Sequence, residues 1–91
     1  MHTIYKYRLE VTDLQGIWMP KGAEILSVQD QAGYVTLWTL CDTDEPLVRR
    51  GIRIYGTGHV IIPYSEVDYI GTVQQYDGAR VWHVFDVGER N

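Results

Sequence analysis

Cysteine, proline and cationic side chains are all scarce in this 91-residue chain, and each shortage closes off a class of protein. Cys41 is the single cysteine, so no intramolecular disulfide can form and a cysteine-based zinc site is not expected. The three histidines (His2, His59 and His83) follow no metal-ligand spacing, so neither a metal nor another cofactor is anticipated. Eight Lys and Arg against twelve Asp and Glu leave a net charge of −4. A chain of that sign is a poor general binder of nucleic-acid backbone. No run approaches the roughly eighteen apolar residues needed to span a bilayer, and no basic start leads into a signal-type apolar stretch. A membrane partner is therefore not expected, and the cytoplasm is the anticipated location. No segment holds an apolar stripe at helical spacing beyond two turns.

What is abundant points to β-structure. Hydrophobic residues make up 45% of the chain, and Tyr, Trp, Val and Ile dominate them. These are the residues that fit a pleated, half-buried surface. Thr3 to Val11 alternates cleanly, with Tyr5, Tyr7, Leu9 and Val11 on one face and Lys6, Arg8 and Glu10 on the other. Gln15–Met19 is a second strand, ended by a turn at Pro20-Lys21-Gly22, where Pro fixes φ and Gly accepts a positive one. Ala23–Gln29 follows, then a tight connection at Gln31-Ala32-Gly33 and a strand over Tyr34–Cys41 with two apolar faces. Asp42 to Pro46 reads as an exposed acidic loop, with Arg49 and Arg50 neutralising it. Leu47–Arg50 is expected as a helical turn or loop, and Gly51–Tyr55 as a strand. Val60–Pro63 makes a brief apolar return, and Ser65–Val67 a loop or helical turn. Asp77-Gly78 between Tyr69–Tyr76 and Ala79–Val87 signals a two-residue type I′ hairpin. The expectation is a single all-β domain over residues 1–91. It is a small antiparallel barrel or sandwich of six to seven strands with at most one short helical turn.

Gly56-Thr57-Gly58-His59 is the most unusual tetrapeptide. Glycines at i and i+2 allow positive φ, so successive N–H groups can converge on an anion. Thr57 adds a hydroxyl, His59 a further donor, and Arg53 or Lys6 a positive charge. Tyr5 and Trp82 are the candidate aromatics for stacking on a base. The competing reading of the same segment is a strand-ending bulge whose glycines serve geometry alone. Catalysis has little footing: Ser27 and Ser65 lack a nucleophile-elbow setting, and Cys41 reads as a buried, inert thiol. Eleven aromatic residues exceed what one small core needs, so self-association into a homodimer or larger ring is expected.

Read as a string, Thr3-Ile4-Tyr5-Lys6-Tyr7 through Asp13, then Met19-Pro20-Lys21-Gly22-Ala23-Glu24-Ile25-Leu26-Ser27-Val28, resembles a family of short proteins encoded by phages and prophages. Leu37-Trp38, Gly56-Thr57-Gly58-His59, Tyr69-Ile70-Gly71-Thr72 and His83-Val84-Phe85 continue the similarity along nearly the whole chain. The resemblance implies a phage accessory role against host defence in the bacterial cytoplasm. Three functions fit that setting: a non-catalytic sponge for a small phosphorylated, nucleotide-type ligand; a protein-binding inhibitor of a host defence protein; and an enzyme cleaving such a nucleotide, with His59 or His83 as acid or base.

Overall fold

The computed structural model describes residues 1–61 and 67–90. Among them seven strands form: β1 (His2–Arg8), β2 (Leu14–Pro20), β3 (Glu24–Gln31), β4 (Tyr34–Asp42), β5 (Leu47–Gly56), β6 (Asp68–Gln75) and β7 (Arg80–Arg90). All pairings are antiparallel, and no helix occurs among the described residues. The all-β expectation holds, and the sandwich is the form it takes. A three-stranded sheet, β1-β4-β3, packs on a four-stranded sheet, β2-β5-β7-β6, with β3 running beside β6.

Turn chemistry fixes the hairpins. Ala32 and Gly33 carry φ of 52° and 88°, which joins Gln31 to its partner Tyr34 in two residues. Asp77 and Gly78 carry φ of 54° and 85°, and the Ala79 amide closes the turn on the Tyr76 carbonyl at 3.0 Å. Positive φ at both central residues is the type I′ signature; at Asp77-Gly78, however, Tyr76 is also at 53° and pairing stops at Gln75–Arg80, so the connection is four residues rather than the two expected.

The core lies between the sheets. Val35, Leu37 and Cys41 of β4 meet Met19, Ile52, Ile54, Val73 and Val84 from the larger sheet, and Leu9 and Val28 complete the packing. The alternation expected over Thr3–Val11 holds in part: β1 ends at Arg8, Tyr7 and Leu9 pack on the core, and Tyr5 and Val11 are 41% and 48% exposed. A second stretch departs from expectation. Leu47–Arg50 is the first half of β5, not a loop or helical turn, and pairs with Trp18, Met19 and Pro20. Two adjacent arginines hid that alternation.

Arg50 explains the discrepancy physically. Its guanidinium does not neutralise the acidic loop; it grips Asp86 of β7 with Nε at 2.9 Å and Nη2 at 2.8 Å and donates Nη1 to the Ala23 carbonyl. Both partners are only 12% exposed. The loop carboxylates Asp42 and Asp44 instead hold the N-terminal ammonium, at 3.1 and 2.8 Å. The apolar return at Val60–Pro63 and the turn at Ser65–Val67 fall largely on residues 62–66, outside the described residues.

Candidate functional site

The outer face of the four-stranded sheet, away from the core, carries a cleft lined by aromatic and hydroxyl side chains. Antiparallel register decides which side chains share it: Arg53 opposes Phe85, Tyr55 opposes His83, Tyr69 opposes Phe85, and Thr72 opposes His83. Cross-strand pairs stand on one side of the sheet with Cβ atoms about 5 Å apart. A strip of aromatic rings results. Phe85 lies between Tyr55 and Tyr69, with ring centroids at 5.8 and 5.5 Å and edge-to-face angles of 75° and 60°. Such tilted pairs are the favoured arrangement of aromatic quadrupoles.

The turn after β5 forms the wall. The His59 amide bonds the Gly56 carbonyl at 3.1 Å, and Gly58 sits at φ 86°, a conformation that suits glycine. His59 then folds back, its Nδ1 accepting the Gly56 N–H at 3.1 Å. Two of the amides considered for an anion nest are therefore committed inside the turn. The bond also fixes the tautomer of the neutral ring, because an accepting Nδ1 puts the proton on Nε2. His59 offers the cleft a donor.

Between turn and sheet runs a chain of hydroxyls and one imidazole. Thr57 Oγ1 is 2.8 Å from His83 Nε2, His83 Nδ1 is 3.0 Å from Thr72 Oγ1, and Thr72 Oγ1 meets the Tyr69 hydroxyl. With the aromatic strip, the Gly56–His59 turn and Ile61, these residues line an open cleft of about 480 Å³. Its described lining has no Asp, Glu, Lys or Arg. The chemistry on offer is stacking and neutral hydrogen bonding, with charge available only at the margin.

Gly56, Thr57, Gly58 and His59 thus come together in one cleft, as the sequence suggested. Arg53 shares the face and stands opposite Phe85, half-buried, just beyond the lining. The other three candidates lie elsewhere. Lys6 is on β1 in the opposite sheet, bonded to Gln31 Oε1 at 2.9 Å. Tyr5 is on that same strand. Trp82 packs against the core and donates its indole N–H to Gln75 Oε1 at 3.0 Å. The ligand-binding set read from the sequence omitted Tyr55, Tyr69, Thr72, His83 and Phe85, with His83 named only as acid or base for the enzyme alternative. The signal that recovers them is register: the Asp77-Gly78 turn sets Thr72 opposite His83 and so puts both on the face of Tyr55.

The family described as Domain of unknown function (DUF7352) matches residues 1–91. No curated protein and no solved structure matches the chain.

Proposed function

The chain belongs to the DUF7352 family, and we propose that it is a non-catalytic binding module that sequesters a small nucleotide-type ligand in the cleft beside the Gly56–His59 turn. The observation that carries this reading is the adjacency of the Tyr55–Phe85–Tyr69 ring strip to the Thr57–His83–Thr72–Tyr69 hydrogen-bonding chain. A heterocycle stacks on rings and needs donors and acceptors at its edge; both are present within one concavity. Arg53 lies three residues before Gly56 on β5, about 10 Å along the strand. A phosphate extending past Phe85 meets that guanidinium.

Binding is favoured over turnover by how the imidazoles are used. Both nitrogens of His83 are held by threonine hydroxyls, and Nδ1 of His59 by a backbone amide. Rings fixed in this way orient a ligand edge. The resemblance to short phage and prophage proteins supplies the setting, an accessory protein that withdraws a nucleotide signal from a host defence system in the bacterial cytoplasm. The alternative, an inhibitor that binds a host defence protein, draws on exposed apolar side chains of the smaller sheet.

Thermal-shift titration with AMP, ADP-ribose, cyclic dinucleotides and cyclic trinucleotides tests the reading. A ligand that binds only the folded state adds about 2.7 kcal/mol at a hundredfold excess over Kd. For a domain of this size that raises Tm by on the order of 10 °C or more. Chromatography must return the ligand intact. No shift with any of these probes overturns the reading, and conversion of the ligand promotes the enzyme.

A further inference from the structure

The outer face of the three-stranded sheet has an unusual composition for a surface. Ile4 is 57% exposed, Leu26 45% and Leu40 37%, and Trp38 stands half-buried among them. Register makes them one patch: Ile4 pairs with Leu40, Lys6 with Trp38, and Ser27 with Trp38. Leu26 is the extra residue at the bulge between Ile25 and Ser27, and that bulge turns it outward onto the patch. A groove of about 330 Å³ runs between Ile4, Leu26, Ser27, Gln29 and Trp38.

Charge is distributed along the strands in a way that suits one partner in particular. Glu24 and Asp42 stand at one end of the face, with Asp44 in the loop just beyond. Lys6 and Arg8 stand toward the other. Lys6 leans across β4 to Gln31 of β3, and Arg8 lies over the Tyr34 ring at 4.0 Å. Neither cation forms an ion pair among the described residues, and neither does Glu24. We infer that this face is the interface of a homodimer, with a second copy of the chain as its occupant. A two-fold axis lying in the face, perpendicular to the strands, lays Trp38 of one copy over Leu40 of the other and Leu26 over Leu26. The same axis lays Lys6 over Ile4 and Glu24 over Ser27, and sets Arg8, which leans onto Tyr34, over the Asp42–Asp44 end of the other copy. The patch is self-complementary, as an isologous contact requires.

Size sets the strength. Strands of seven to nine residues at about 3.3 Å per residue, three abreast at about 4.8 Å, give a flat footprint of about 400 Å². Stable complexes bury about 800 Å² per partner. The pairing is consequently reversible and concentration-dependent. It also leaves the cleft of the opposite sheet open on both copies, so the dimer presents two independent ligand sites.

Sedimentation equilibrium across nanomolar to high micromolar concentrations tests the inference. The mass should rise from 10.5 kDa toward twice that value. Leu26→Lys should hold the chain at monomer mass, with a β-type circular dichroism spectrum to show that it still folds. Arg8→Glu and Asp44→Arg should each weaken dimerisation at least tenfold, and the double variant should restore it. A monomer at every concentration overturns the inference. So does a dimer indifferent to Leu26→Lys, or a double variant no better than the singles. The nucleotide thermal shift is read on the same samples. It should be unchanged in every variant, so failure of the dimer and failure of the ligand reading are separately visible.

Discussion

His83 Nε2 lies 2.8 Å from Thr57 Oγ1, and this one bond ties the turn after β5 to the centre of β7. The second ring nitrogen is held by Thr72 of β6, so a single imidazole joins three segments that are remote in sequence. The cleft owes its shape to that junction.

Thr57→Val keeps the volume of the side chain and deletes the bond to His83. A net contribution of about 1 kcal/mol per such hydrogen bond implies a Tm lowered by roughly 4–8 °C. Nucleotide binding should weaken more than the fold does, because the turn loses its tether. Calorimetric unfolding with and without AMP separates the two effects.

Gly56→Ala makes a sharper incision. A Cβ at position 56 would meet the His59 ring at 2.8 Å from Cε1, closer than real Cβ contacts allow, and at a tight 3.0 Å from Nε2. The imidazole must leave its bond to the Gly56 amide. His59 is exposed, so it can swing aside at small cost to stability. The expected outcome is a near-normal melting temperature with a shifted His59 resonance and weaker ligand binding. Gly58→Val differs: with φ at 86° a β-branched residue strains the turn itself. It should lower stability as well as binding.

Arg50 and Asp86 form an ion pair deep in the larger sheet, each 12% exposed. Removing one partner leaves the other buried and uncompensated, so Arg50→Met should cost about 3 kcal/mol. Asp86 also accepts the Gly88 amide at 2.8 Å, so Asp86→Asn should cost less than Asp86→Leu. Urea midpoints of the singles and of the Arg50→Met/Asp86→Leu double variant give the coupling energy. Coupling near zero would contradict the pairing.

Tyr7 predicts an alkaline limit. Burial against the core, with Cys41 adding to it, pushes its phenol from an ordinary 10.0 up to about 12. Between those values the folded state keeps a proton that the unfolded state has lost. Stability should therefore be flat below pH 10 with respect to this group and fall as pH rises through 10 to 12. Tyr7→Phe removes the titration, and its denaturation midpoint should lose less over that window. Equal slopes for the two proteins would contradict the assignment.

Much of this architecture was legible in the sequence, because two features of the chain are local. Alternation in β1 and β7 and positive-φ residues at Ala32-Gly33 and Asp77-Gly78 each act within a few residues. The β6–β7 hairpin followed from Asp77-Gly78 directly, although its connection is four residues rather than two. Leu47–Arg50 was not legible, because the strand there depends on Arg50 finding Asp86, 36 residues away. The cleft was half legible. Its turn is announced by Gly56-Thr57-Gly58-His59, whereas the sheet residues facing it are selected by pairing register. Lys6, Tyr5 and Trp82 were grouped with the turn on chemical type alone. Pairing places Lys6 and Tyr5 in the other sheet and turns Trp82 inward.

The central claim is that a nucleotide occupies the cleft formed by the Gly56–His59 turn and the β6–β7 hairpin. An amide chemical-shift titration with AMP, or with whichever nucleotide gives the largest thermal shift, tests it most directly. Saturable perturbations are expected at Thr57, Gly58, His59, Thr72 and His83, with Arg53 following when a phosphate is present. Residues of the opposite sheet, Lys6 and Trp38 among them, should stay unmoved. Perturbations centred on Lys6 and Trp38, or none at millimolar nucleotide, would contradict it.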